Sequence, residues 1–249
     1  MRSGLLRAVV AVTAGLALML GAAPPPAQAA DVDDYADVTL DVLGALLVAA
    51  EDGISPGEII ALVQLLRGAV DGVKVDVVDR LDSQVVVELR AKVDSTLAKT
   101  YLLDSPFPWD TSIFNNSTHD AAYLARRYVL DDVLTADKDV DAVGRAMMTL
   151  FTAYEVGLAK AGVAKPARDR IFAEYRQGLE RLIAKMVPRC SVTGTEEPFS
   201  AQHVCTYNGK TVRGVPGNDD RALVENQLMA DTARKLAQDA LEQLRQRNL

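Results

Sequence analysis

Cysteine, histidine and aromatic side chains are scarce in this 249-residue chain, which holds two Cys, two His, one Trp and 5% aromatics in all. Two His and two Cys leave little room for a metal cluster. Glycine (16) and proline (10) are too few for a collagen-like or linker-rich chain. At 49% hydrophobic residues, the composition is too apolar for disorder. Basicity is missing as well: the formal net charge is -7, against the net positive charge or dense basic stripe of a nucleic-acid binder. Catalytic signatures are absent, with no G-x-S-x-G elbow, H-E-x-x-H pair, P-loop or dinucleotide fingerprint. Beyond the N-terminal segment no run approaches the roughly 18 uninterrupted apolar residues of a spanning helix.

What is present begins with an export signature. Arg2 and Arg7 introduce an apolar stretch ending in Leu18-Met19-Leu20, and Ala27-Gln28-Ala29 supplies a small-residue cleavage site. Residues 1–29 are read as a secretory signal peptide, leaving 30–249 as one secreted, extracellular domain. Cys190 and Cys205 suit an oxidising compartment and are expected to form a disulfide. A loop of that size stabilises by roughly 3 kcal/mol in the chain-entropy view.

Helical spacing dominates the domain. Val38, Val42, Ala45, Leu46 and Ala49 trace a first helix that Gly53 ends. Ser55-Pro56-Gly57-Glu58 then combines a cap, a first-turn proline and an acid three residues on. From Ile59 the three-and-four spacing continues to Tyr101 with no proline before Pro106, which predicts one long helix over 56–104 with weak points at Gly68 and Gly72. Ser117-x-x-Asp120 resembles a capping box for a helix through Tyr128. Val140 to Leu158 gives an apolar stripe closed by Gly162. Pro166 opens a helix burying Phe172, Tyr175, Leu179 and Leu182, with Arg168 assigned to its outer face.

The helical pattern stops over about 189–218. There Asn208-Gly209, between two β-prone runs, is a strong hairpin signal, and the disulfide would tie that hairpin to the end of the preceding helix. A last helix follows from Asn218 to Leu244. The predicted fold is therefore all-α: an elongated bundle of six helices with one small disulfide-braced β-hairpin before the last.

Candidate chemistry is thin. His119 and Asp120 are adjacent, and neighbouring helix positions point about 100° apart, so both are read as first-turn residues rather than a catalytic pair. His203 is read as an exposed strand residue. Asp137-Lys-Asp139-Val-Asp141 starts like a calcium loop, but Ala142 stands where the turn needs Gly and Met148 where the bidentate Glu belongs. These acids are read as helix-start residues. No catalytic residue, metal site or cofactor is assigned.

The most informative stretch is 101–118, read as a loop at the tip of the long helix. It gathers Phe107, Trp109 and Phe114 in a chain otherwise poor in aromatics. These three are the candidate binding residues, set against a role as a plug at the end of the bundle. The leading function is a secreted, non-catalytic module binding a protein or cell-envelope partner. Nucleic acid is excluded, while membrane contact and self-association stay open. The alternatives are a membrane-active, pore-forming-like protein and a hydrolase built on scattered carboxylates with His119.

Overall fold

The computed structural model describes residues 32–52, 55–73, 77–194, 201–215 and 221–247. The signal peptide expected over 1–29 and the helix stop at Gly53 lie outside the described residues. The helices are α1 (Val32–Asp52), α2 (Pro56–Val73), α3 (Val87–Leu97), α4 (Pro108–Leu130), α5 (Asp137–Lys160), α6 (Lys165–Lys185), α7 (Arg221–Met229) and α8 (Ala233–Gln246). Between α6 and α7 lie β1 (Arg189–Thr193), β2 (Gln202–Tyr207) and β3 (Lys210–Arg213). The all-α bundle with a small disulfide-braced β element before its last helices is thus observed.

Two of the expected helices are each split in two, so eight α-helices replace six among the described residues. Of the long helix expected over 56–104, the described residues hold α2 to Val73, one residue after Gly72, and α-helix again from Val87, with 74–76 outside the described residues. Between them Val77 and Val78 form a π-type turn, and Ser83 is extended ahead of a 3₁₀ turn at Gln84–Val86. Val77, Leu81, Val86, Leu89, Val93 and Leu97 are nonetheless all buried. The apolar spacing marks the buried side chains correctly, while the backbone at Val77–Val78 and Val85–Val86 departs from α-helix. The final helix breaks at Thr232, whose side-chain hydroxyl donates to the Met229 carbonyl at 2.7 Å.

Helix α5 lies at the centre, packed against α1, α2, α4, α6 and α8. Nearly every residue from Asp139 to Ala159 is buried, so it carries no solvated face of the kind an amphipathic stripe implies. Its small residues admit neighbours closely: a Cβ at Gly144 would lie 2.6 Å from Leu182 of α6 and 3.0 Å from Ala233 of α8. Phe151 stacks on Tyr175 of α6 with ring centroids 5.1 Å apart. A second apolar cluster gathers Val42, Leu46, Leu62, Val63 and Leu66 from α1 and α2 around Phe114 and Val156. Each such side chain contributes about 1.5–3 kcal/mol on burial.

The sheet is three-stranded and antiparallel in the order β1-β2-β3. Cys190 pairs directly with Cys205 across β1 and β2, Cα atoms 4.1 Å apart, and the disulfide joins them there. It therefore braces the sheet internally instead of tying a hairpin to a helix end. Asn208 (φ 48°) and Gly209 (φ 75°) form the tight turn between β2 and β3. That turn docks on the start of α5: the Asn208 N–H donates to Asp137 Oδ2 and the Tyr207 hydroxyl to the Asp137 carbonyl, each at 3.2 Å.

Candidate functional site

The 101–118 stretch is not a loop. Thr100–Asp104 form a 3₁₀ turn, and α4 starts at Pro108, nine residues before Ser117. Pro108 occupies the first helical turn with Asp110 just behind it, the proline-then-acid pattern of a helix start. The short connector is fastened from several directions. The Phe107 N–H donates to Ser105 Oγ at 3.2 Å, and the Ser105 hydroxyl donates to Asp110. Lys160, at the end of α5, donates to the carbonyls of Leu103 and Ser105, and Arg67 of α2 pairs with Asp104. Partial burial lowers the Lys160 ammonium pKa, with Asp110 pulling it back up.

The three aromatics of the stretch part company. Phe114 is fully buried (0% exposed) among the α1 and α2 side chains, so it belongs to the core and not to any surface. Phe107 (66%) and Trp109 (74%) face solvent at the start of α4.

From Trp109 a face of α4 continues at spacings of four and three through Ile113, Asn116, Asp120, Tyr123 and Arg127. All except half-buried Tyr123 are exposed. It borders α3, where Glu88, Ala91, Lys92 and Ser95, with Lys99 just beyond the helix end, line the other side. Two open hollows lie between the helices, both lined by Lys92 and Asp120, so they adjoin as one trough. Its walls are tied at one end: the Thr96 hydroxyl donates to the Ser117 carbonyl at 3.2 Å and Lys99 Nζ to Ser117 Oγ at 3.0 Å.

His119 lines the second hollow beside the shared Asp120, half-exposed, in the middle of α4 instead of its first turn. The expectation that it cannot meet Asp120 is corrected, because Nδ1 and Oδ1 approach to 3.4 Å: side-chain torsions close the angle between adjacent Cβ vectors. The His119 ring lies 4.3 Å from that of Tyr123 and 5.5 Å from that of Tyr154. Burial holds both phenols above their usual pKa; at Tyr123 a hydrogen bond with Glu174 adds to this. The result is an aromatic shelf with an adjacent carboxylate.

Other candidates serve the framework. His203 is half-buried on β2, where its carbonyl accepts the Gly214 N–H at 2.8 Å. Asp137 holds the β2–β3 turn, and Asp141 accepts the Ala233 N–H at 2.7 Å, capping α8 from another helix. Asp141 also meets Arg145 at 3.3 Å with both side chains buried. Cys190, Cys205 and Glu225 cluster closely, but both sulfurs are spent in the disulfide and Arg221 holds Glu225 at 2.6 Å.

One buried pair escaped the sequence reading. Arg168, assigned to the outer face of α6, is buried against Glu155 of α5. The available signal was Glu155 itself, an acid isolated among small and apolar residues over 146–159. Among the described residues no helix is long and apolar enough to cross a membrane. No protein family, curated protein or solved structure matches this chain.

Proposed function

We propose that the chain is an exported, non-catalytic binding module that holds a cell-envelope or extracellular partner on the α3–α4 face. The observation carrying this reading is the solvent exposure of Phe107 and Trp109 on a fastened turn leading into the trough. Exposed aromatic rings on rigid elements are the usual anchors of binding surfaces. The Cys190–Cys205 disulfide is compatible with an oxidising compartment.

The test is co-sedimentation with envelope fragments of the producing cells. The wild-type protein is expected in the pellet and the Phe107→Ala/Trp109→Ala variant in the supernatant, with unchanged thermal melting. Equal sedimentation of the two would overturn the proposal. Dye release from phospholipid vesicles at sub-micromolar protein would replace it with the membrane-active reading. Export is checked by N-terminal sequencing of protein from the medium, expected to begin at Ala30; a start at Met1 contradicts it.

A further inference from the structure

The β2–β3 turn presents an asparagine open to reaction with its own main chain. Asn208 and Gly209 are both exposed, at the left-handed φ values of the sheet's tightest turn. Asn208 spends its backbone N–H on Asp137 Oδ2 at 3.2 Å, and among the described residues no partner holds its side-chain amide. A Cβ at Gly209 would meet nothing within 4 Å, so the space beside the Gly209 nitrogen is open. The contrast is with Asn115, Asn116 and Asn226, which lie inside helices. There a bulkier residue follows and its N–H belongs to the helical ladder.

Asparagine is among the thermolabile side chains. The Gly209 nitrogen attacks Asn208 Cγ, forming an N–C bond as the bond from Cγ to the amide nitrogen breaks. That nitrogen leaves as ammonia, carrying the proton from the Gly209 N–H. Water then opens the five-membered imide at either carbonyl, leaving an aspartate or an isoaspartate at position 208. Nothing is oxidised or reduced, and solvent is the only co-reactant. Ring closure needs rotation about the Asn208 Cα–C bond, which the closed turn resists, so its dock on Asp137 restrains the reaction. Opening of β3 admits it. That strand is an exposed, four-residue edge of the sheet, and such elements open ahead of the whole fold.

We propose that Asn208 is a site of spontaneous modification, where water replaces the side-chain amide and the carboxylate so formed releases the turn from α5. The new charge arises beside the Asp137 carboxylate, whose counter-ion is Arg189 at 3.1 Å. One exposed guanidinium offsets one carboxylate, and the second is left to repel. An isoaspartate also adds a methylene to a main chain whose two-residue turn fixes the strand register. The site is independent of the α3–α4 face.

The experiment incubates the intact, disulfide-bonded protein at neutral pH with mild warming and follows its peptides by mass. The gain of amide-to-acid conversion is expected at Asn208, with isoaspartate among the products, while Asn115, Asn116 and Asn226 keep their amides. Asp137→Ala should speed the conversion by roughly threefold or more, because it frees the turn. Asn208→Asp, which installs one product outright, should melt a few degrees below the wild type at low salt, and by less at high salt or when combined with Asp137→Asn. The proposal is overturned if Asn208 stays intact under conditions in which the urea-unfolded chain converts, if Asp137→Ala leaves the rate unchanged, or if Asn208→Asp melts with the wild type.

Discussion

Glu155 Oε2 and Arg168 Nε face each other 3.7 Å apart inside the bundle, with only 1% and 4% of the two residues exposed. Neither Glu155 oxygen has a hydrogen-bond partner among the described residues. Burial outweighs the attraction of Arg168, and Asp169 adds repulsion, so the Glu155 pKa is pushed up to about 8. The sign follows from linkage. An acid with a native pKa above its unfolded one binds more protons when folded, so its contribution is fully present below about pH 4.5 and is lost as pH rises through about 8. Urea unfolding of the wild type should show a decline on the order of a few kcal/mol across that interval, which Glu155→Gln flattens. Stability that rises with pH, or an unchanged slope in Glu155→Gln, defeats this assignment.

Arg168→Met removes the buried cation facing that carboxylate. Without its attraction the Glu155 carboxyl should hold its proton to still higher pH, so the fall in stability with pH should start later than in the wild type. Urea midpoints of the two proteins followed from about pH 5 to about pH 9 give the comparison; coincident pH profiles would mean that Arg168 has no bearing on the Glu155 charge.

A methyl group at Gly157 would overlap Asn115 Oδ1 and come within 3.1 Å of the Phe114 ring. The Asn115 amide donates to the Gly157 carbonyl at 3.2 Å, so the two helices are locked at this crossing. Gly157→Ala should therefore lower stability by roughly 2–3 kcal/mol. Asn115→Ala in the same chain should recover part of that loss by making room. Calorimetric melts of the two singles and the double settle the coupling.

Cys190→Ser/Cys205→Ser should cost about 3 kcal/mol relative to the oxidised protein. Adding a reductant should lower the midpoint of the wild type and leave the double variant where it is. A reductant-insensitive wild type contradicts a formed bridge.

Trp109 is the single tryptophan, and its exposure gives a direct readout. Its emission in the free protein should be red-shifted, as in water, and freely quenched by acrylamide. A blue-shifted, protected signal would place it in the core beside Phe114.

Local chemistry made part of this fold legible. Ser55 and Glu58 form the reciprocal cap that their spacing suggests, with the Ser55 N–H donating to Glu58 Oε2 at 2.8 Å and the Glu58 N–H to Ser55 Oγ at 3.3 Å. Asn208-Gly209 turns as its composition demands. Where local signals competed, the reading slipped. Ser117 looks like a cap but spends its side chain on Thr96 and Lys99 of the neighbouring segment. The true start at Pro108 was signalled by proline followed by Asp110. Other features depend on distant partners: Asp141 caps α8 from 92 positions away, and Arg168 lies buried opposite Glu155 of another helix. The candidate binding residues were half legible, because exposure separates Phe107 and Trp109 from Phe114 and a one-dimensional pattern of aromatics carries no such distinction.

The clamp of Lys160 on the Leu103 and Ser105 carbonyls, with Arg67 on Asp104, fixes the main chain beneath Phe107 and Trp109 before anything arrives. Association through these rings forfeits little backbone freedom, so calorimetry should register a small entropic penalty and kinetics a single fast phase without a conformational step. Cutting that clamp with Lys160→Met would loosen the platform and slow productive encounters while leaving both rings chemically intact.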